Sequence, residues 1–525
     1  MPSEKIFIFD TTLRDGAQGE NISFSVKDKL QIIEKLDEIG IDYIEVGFPA
    51  SNPKDEELFD ILKNKKFNNS KIVAFGRTRY KDAASSEDKN LKTLIECDTD
   101  AVCIFGKSSA FHAEKILETS LENNLEMIYD SVKFLKKNVP EVIFDGEHFF
   151  DGFKENSEYA MRTLKAAQDA GADFIVLCDT NGGTLPLEII KIVDYVVKEI
   201  NLPIGVHIHN DCGCAVANSI LAVNEGAVMV QGTINGYGER TGNADLCQII
   251  PNLEIKLKKK CLKEGNLKYL TSLSRFVAEI ANQIPLSHQP FVGSSAFAHK
   301  AGMHVSGVSK YSTAFEHISP ELVGQKRRIL ISELAGKKSI ILKAKEFDLN
   351  LEDNPKIVSE ILNKILTLEH KGYQFEVADA SFELLVKEIA QVKEEYFVLE
   401  SFRVLNERKE NKEMLSEATV KLYINENKII ETAEGVGPVN ALDKAIRKAL
   451  TKFYPGLEKI TLTDFKVRVL DEKKGTGAVV RVLIESTDGK KSWGTIGVSE
   501  NIIEASWEAL EESIVYGLSH LNDIK

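Results

Sequence analysis

Nowhere does this 525-residue chain hold a run approaching the ~20 apolar residues of a membrane span. Its opening, "MPSEKIFIFDTTLRDG", also lacks the long apolar stretch of a secretory leader. Positive charge is in short supply. Lys and Arg number 66 against 80 Asp and Glu, and the net charge of -14 argues against nucleic acid or an anionic membrane as partner. A small anionic ligand stays open, because one Arg or one metal ion can dominate the field inside a pocket. Cysteine is sparse: seven residues, odd in number and scattered, suit a reducing cytoplasm rather than a disulfide framework. Cys212 and Cys214 form a C-x-C, but no second pair stands at zinc-site spacing, so they read as small packing residues. No G-x-G-x-x-G follows the first strand-like run, which speaks against a dinucleotide-binding sheet.

What is present is ordinary globular composition, 43% hydrophobic and 28% charged, in a chain long enough for two or three domains with large cores. Residues 1–250 repeat one rhythm. Short apolar runs, "IFIFD", "DYIEVG", "KIVAFG", "AVCIFG", "EVIFDGE", "DFIVLCDT", "IGVHIHND" and "VMVQGTI", alternate with stretches of helical spacing. "SVKDKLQIIEKLDEIGI" is one such helix, with Gly40 placed to cap it; "PLEIIKIVDYVVKEINLP" is another, with Pro186 in its first turn. Doubly buried strands separated by helices predict a parallel sheet with helical crossovers, and eight units is the count of a closed (β/α)₈ barrel, a TIM barrel. An open doubly wound sheet is the alternative. Polar residues gather at the C-terminal ends of the runs, the rim where a barrel carries its active site.

Beyond the barrel, assigned to residues 1–270, the alternation stops. Residues 271–372 read as a helical accessory region, with a Gly/Ser/His-rich piece, "GSSAFAHKAGMHVSGVSKY", between two helices. Residues 373–525 read as an α+β domain in which three strands and a helix occur twice, the helices being "PVNALDKAIRKALTKF" and "NIIEASWEALEESIVYGL".

Several strand ends could carry chemistry. In "GVHIHND" the two imidazoles, His207 and His209, fall on one face of a strand and point into the barrel mouth. They are either hydrogen-bonded core residues or two ligands of a divalent metal. Asp15, past the first strand, and Asn243, past the eighth, would complete an oxygen–nitrogen set suited to Mg, Mn or Zn as a Lewis acid. Arg14 is either a partner for substrate charge or one half of a rim salt bridge. Glu147 could act as general acid or base or be structural, and Thr180 could bind a carboxylate. By spacing, His304 reads as a loop histidine.

With "DTTLRDG", "HIHND", "GYGERTGNADL" and "AFAHKAGMH" in this order, the chain resembles the α-isopropylmalate synthase superfamily over essentially its whole length. Its members condense acetyl-CoA with a 2-oxo acid on a metal-bearing TIM barrel. The resemblance implies that Asp15, His207, His209 and, more loosely, Asn243 hold the metal, that Arg14 is the electrophilic arginine, and that Thr180 binds the substrate carboxylate. It implies that Glu147 and His304 form the catalytic pair. The family's supporting tyrosine is replaced by Phe315, and Tyr311 is the candidate to stand in for it.

Two departures, Ala17 where many members have Glu and "NGG" after Thr180 where many have Val-Gly-Tyr, resemble the branch of the superfamily that takes pyruvate. The implied protein is a homodimer using pyruvate and acetyl-CoA, its residues 373–525 sensing isoleucine as feedback ligand. The nearest rival takes 2-oxoisovalerate and is restrained by leucine. A 2-oxoglutarate-using homologue is disfavoured because such enzymes usually lack the C-terminal domain. A non-enzymatic rival is an inactive barrel kept as an amino-acid sensor.

Overall fold

The eight apolar runs of the first half are eight parallel strands: β1 (Phe7–Asp10), β2 (Tyr43–Gly47), β3 (Lys71–Arg77), β4 (Ala101–Lys107), β5 (Glu141–Glu147), β6 (Phe174–Asp179), β7 (Ile204–Ile208) and β8 (Met229–Gly232). In this computed structural model they pair in chain order, and β8 returns to β1 through Phe7↔Met229 to Asp10↔Gly232, closing the barrel. The open doubly wound sheet is thereby excluded. The structure describes residues 5–408, 410, 414–471, 475 and 477–521. The chain forms two compact units, one running to residue 297 and including 318–326, the other comprising 298–317 and 327 onward.

Strand parity divides the first unit's apolar residues. Phe9, Tyr43, Val73, Cys103, Ile143 and Val176 fill the barrel interior. Their strand neighbours Ile8, Ile44, Ile72, Val102, Val142 and Ile175 face the surrounding helices, in the unit's larger core. The helices start and stop where local chemistry dictates. Ser25 and Asp28 form a reciprocal capping box at the head of the helix Val26–Ile39, and Gly40 ends it at φ 94°. Pro186 opens the helix Pro186–Glu199. Because every strand runs the same way, all eight C-terminal ends open on one rim.

The second unit carries a short parallel pair, β9 (Ala298–His299) with β10 (Arg328–Ile329), and helices Gly302–Lys310, Lys337–Lys345 and Pro355–His370. The two β-β-β-α units read from the sequence leave the segment before residue 396 unassigned; Asp379–Ile389 is helical there, and its Phe382 and Val386 complete the small apolar core built around Ile340, Ile361 and Ile365. Two antiparallel three-stranded sheets follow. β11 (Val398–Arg408), β12 (Met414–Ile424) and β13 (Asn427–Gly435) precede the helix Pro438–Leu450. β14 (Thr461–Val469), β15 (Val480–Thr487) and β16 (Ser492–Ser499) precede the helix Ile502–His520. The repeated β-β-β-α order follows the alternating pattern of the sequence. No helix among the described residues is long and apolar enough to cross a membrane.

Candidate functional site

The first strand leaves the barrel through "DTTLRD", and its polar residues fold that segment back over the mouth. Buried Asp10 accepts from the Thr12 backbone N–H (3.0 Å) and hydroxyl (2.8 Å), and Thr12 Oγ1 accepts from Ile234 N–H (2.8 Å), tying the segment to the end of β8. Arg14 and Asp15 are thereby aimed inward. The Arg14 Nε–H donates to Glu45 Oε2 (2.6 Å), the guanidinium lies 3.8 Å over the Phe75 ring, and Nη1 is 3.3 Å from Asp15 Oδ2. Glu45, with no exposed surface, also accepts from the Thr11 hydroxyl at 2.5 Å.

On β7, His207 occupies an inward position, and His209 lies just past the strand end with the same parity. Asp15 Oδ2 is 3.1 Å from His207 Nε2 and 3.7 Å from His209 Nε2, and the two Nε2 atoms are 3.2 Å apart. All three residues are buried. Burial raises the Asp15 carboxyl, but the Arg14 charge and the two imidazoles outweigh it and hold the group well below the usual carboxylate range. Burial, with His207 alongside, pushes the His209 ring down to about 4. Burial also lowers His207, but Asp15 overrides it and leaves that ring above its ordinary value.

Asn243 reaches the same rim because the chain past β8 doubles back along β7. His209 and Asn243 form an isolated antiparallel bridge, Asn210 N–H donates to Gly242 O (2.9 Å), and Ala244 N–H donates to Ile208 O (2.9 Å). The turn needs glycine at two points. Gly242 has φ +90° and a Cβ there would lie 1.9 Å from Gly236 O; Gly238 has φ +150° and a Cβ would lie 2.2 Å from Asn243 Nδ2. Asn243 Nδ2 donates to Tyr237 O (3.2 Å), while its buried Oδ1 has no hydrogen-bond partner. The Asp15 carboxylate oxygen and the two imidazole nitrogens lie within 4.8 Å of one another, a donor set that a divalent cation would satisfy and that protons alone do not; Asn243, bridged to His209 through the backbone, adds an orphaned amide oxygen on the same rim.

Glu147 ends β5 at the mouth and is ion-paired with Lys107. Thr180 Oγ1 accepts from His148 N–H (2.9 Å), so its own hydroxyl proton is free to donate. Arg240, past β8, spans the neighbouring part of the rim: it grips both Asp211 carboxylate oxygens (2.8 and 2.9 Å) and donates to Thr180 O (2.9 Å). Arg14, Asp15, Glu147, Thr180, His207 and His209 line one cavity of about 860 Å³.

His304 and Tyr311 belong to the second unit. His304 lies on the helix Gly302–Lys310, not in a loop: Gly302 and Gly307 blur its periodicity, but backbone bonds such as Tyr311 N–H to Gly307 O (2.9 Å) hold it. Its exposed ring stacks on Phe315 with centroids 4.3 Å apart, and Tyr311 is 76% exposed. Cys212, read from sequence as a packing residue, is exposed.

Three further participants take no role from the sequence alone, where Glu45 reads only as one of the polar strand ends on the rim. Gln231 on β8 faces His207, Asp145 on β5 faces Gln231, and Glu45 anchors Arg14. The available signal was parity: Asp145 stands two residues before Glu147, and Gln231 is the one polar residue of "MVQG".

Comparison with known proteins places this arrangement. A family profile described as HMGL-like matches residues 5–277, one described as homocitrate synthase post-HMGL domain-like matches residues 291–372, and one described as the LeuA allosteric (dimerisation) domain matches residues 376–518. The (R)-citramalate synthase of Geobacter sulfurreducens is 53% identical over 99% of this chain and 98% of its own. That of Aquifex aeolicus is 52% identical over 98% of each. The 2-isopropylmalate synthase of Methanocaldococcus jannaschii is 34% identical over 97% of this chain and 94% of its own.

Proposed function

We infer the reaction from the family: this chain belongs to the α-isopropylmalate synthase superfamily, in its (R)-citramalate synthase type, and is an acetyl-CoA-dependent condensing acyltransferase. It joins the acetyl methyl carbon of acetyl-CoA to the ketone carbon of pyruvate, and water then cleaves the thioester, giving (R)-citramalate and free CoA. The observation that carries the assignment is the convergence of Arg14, Asp15, Thr180, His207 and His209 on one cavity, in a chain collinear with citramalate synthases.

Asp15, His207, His209 and Asn243 would hold a divalent metal ion, which would supply Lewis-acid polarisation of the 2-oxo acid. Thr180 donates its free hydroxyl proton to the substrate carboxylate and so sets which face of the ketone is presented. Arg14, its guanidinium plane fixed by Glu45 and Phe75, sits ready for the negative charge that develops on the ketone oxygen. Glu147 and His304 share the proton work, His304 taking a proton from the acetyl methyl group; this assignment rests on the resemblance of "AFAHKAGMH". Tyr311 takes the supporting role of the tyrosine replaced by Phe315. Residues 373–525 bind isoleucine and restrain the catalytic half, and the protein acts as a homodimer on a route to isoleucine. Its seven free cysteines suit the reducing cytoplasm.

The test is release of free CoA from acetyl-CoA, with metal supplied, comparing pyruvate, 2-oxobutyrate, 2-oxoisovalerate and 2-oxoglutarate at one concentration. A clear pyruvate preference is expected. A preference for 2-oxoisovalerate would keep the chemistry and overturn the acceptor.

A further inference from the structure

Gln231 is fully buried, and its amide bonds two side chains of other barrel strands, His207 and Asp145. Its two neighbours leave the amide no choice of orientation. Asp145 Oδ1 lies 3.1 Å from Gln231 Nε2, and an ionised carboxylate can only accept, so the NH₂ group must face it. The amide oxygen then faces His207 Nδ1 at 2.8 Å, and an oxygen acceptor there requires Nδ1 to carry the proton. A neutral His207 therefore has its lone pair on Nε2, the atom that faces Asp15 Oδ2 and His209 Nε2.

We infer that Gln231 is a positioning residue for metal binding: backed by Asp145, it holds His207 in the Nδ1–H tautomer and aims Nε2 at a divalent cation. The inference rests on the metal site described above and is independent of which 2-oxo acid is the acceptor. Asp145 and Gln231 sit on β5 and β8, and His207 on β7, so three separate strands of the rigid barrel fix the geometry. Partners that orient a metal-binding histidine in this way are worth roughly 10–100-fold in metal affinity.

The experiment measures Mn²⁺ binding to metal-stripped full-length protein, by the electron paramagnetic resonance signal of free Mn²⁺, with neither substrate present. Gln231→Met keeps the length of the side chain and removes both hydrogen-bonding groups. It should weaken Mn²⁺ binding by about 10–100-fold; the metal-free melting temperature should fall, because buried Asp145 and His207 Nδ1–H lose their partner, while the circular dichroism spectrum at the titration temperature stays that of wild type. The double variant Asp145→Asn with Gln231→Glu reverses the donor between positions 145 and 231 but keeps an acceptor on His207 Nδ1, and should bind Mn²⁺ nearly as wild type does. His207→Ala separates the two levels of the reading. If it binds Mn²⁺ normally, the metal site itself is misassigned. If it loses Mn²⁺ while Gln231→Met changes affinity less than about threefold, only the positioning role falls. Should Gln231→Met not fold, the double variant decides, and a tenfold or greater loss of Mn²⁺ affinity there overturns the inference.

Discussion

Replacing Glu45 by Gln tests how Arg14, the proposed electrophile, is held. Glu45 has no exposed surface, and one of its oxygens takes both the Thr11 hydroxyl (2.5 Å) and Arg14 Nε–H (2.6 Å). In Glu45→Gln the amide oxygen can still accept both bonds, but neither keeps its charged acceptor. The Thr11 bond falls from the charged class, about 1.5–3 kcal/mol, to the neutral one, about 0.5–1.5, a loss of about 1 kcal/mol; Arg14 keeps a charge-assisted bond but loses the nearer of its two counter-charges, about 1 kcal/mol more, so roughly 2 kcal/mol is lost in all. The amide nitrogen takes the place of Oε1, which is buried without a partner already, so that change nearly cancels. Arg14 keeps a counter-charge in Asp15 at 3.3 Å, so the loss stays below the ~3–5 kcal/mol of a buried pair broken outright.

For a unit of this size, a loss of about 2 kcal/mol corresponds to a fall in melting temperature of roughly 4–6 °C. Melting should be followed in chelator, so that metal binding does not mask the change. With metal restored, loosening the guanidinium plane should lower kcat for CoA release by roughly 10–100-fold. The paired variant Arg14→Met with Glu45→Leu removes both charges; it should regain much of the stability and none of the activity. If Glu45→Gln melts within about 1 °C of wild type and turns over normally, the ion pair does not hold Arg14 and the reasoning fails.

Three further outcomes are expected. Burial, with His112 stacked 3.6 Å away and Lys107 nearby, pushes the His148 ring down to about 4. The unfolded chain therefore binds the extra proton between about pH 6.5 and 4, so stability present above pH 6.5 is lost as pH falls through that window. His148→Phe should flatten this limb of the melting-temperature profile, and an unchanged limb would contradict it. Gly238→Ala puts a Cβ 2.2 Å from Asn243 Nδ2 and should weaken Mn²⁺ binding at least tenfold, read by the same titration; unchanged affinity would remove Asn243 from the metal set. Isoleucine, and not leucine at equal concentration, should lower the initial rate of CoA release; inhibition by leucine alone would move the regulatory assignment.

The barrel was legible because its cause is local. A strand buried on both faces must read as an unbroken apolar run, and a parallel sheet forces a helix between such runs. Parity made the H-x-H pair legible, and barrel closure put Asp15 beside it, since β1 pairs with β8 and β8 with β7. Asp145 and Gln231 were not legible. They are 86 residues apart, on strands that do not pair, and meet only across the barrel interior, which depends on stagger and side-chain direction that no spacing encodes. The helix bearing His304 was hidden for a different reason. Gly302 and Gly307 dilute its pattern, and only Val305 and Val308 of its nine residues are buried.

The charges around the mouth explain how a chain of net charge -14 can use an anionic acceptor. Arg14 lies between Glu45 and Asp15, and Lys107 is paired with Glu147, while Asp145 is a further carboxylate whose pKa, raised by burial to about 6, still leaves it mostly ionised at neutral pH. Arg240 is committed to Asp211. Arg14 and Lys107 thus meet four carboxylates; the other charges in and against the cavity wall, Lys29, Lys54 and Arg240 against Asp55, Asp211 and Glu239, cancel, and the mouth carries an excess of two negative charges. Such a cavity repels a 2-oxo acid, and a divalent cation held by Asp15, His207 and His209 would bring it to neutrality. On the proposed reading, a bound metal would therefore serve in binding the acceptor as well as in polarising its ketone. Chelation should abolish equilibrium binding of pyruvate, measured by calorimetry without acetyl-CoA, and not merely turnover.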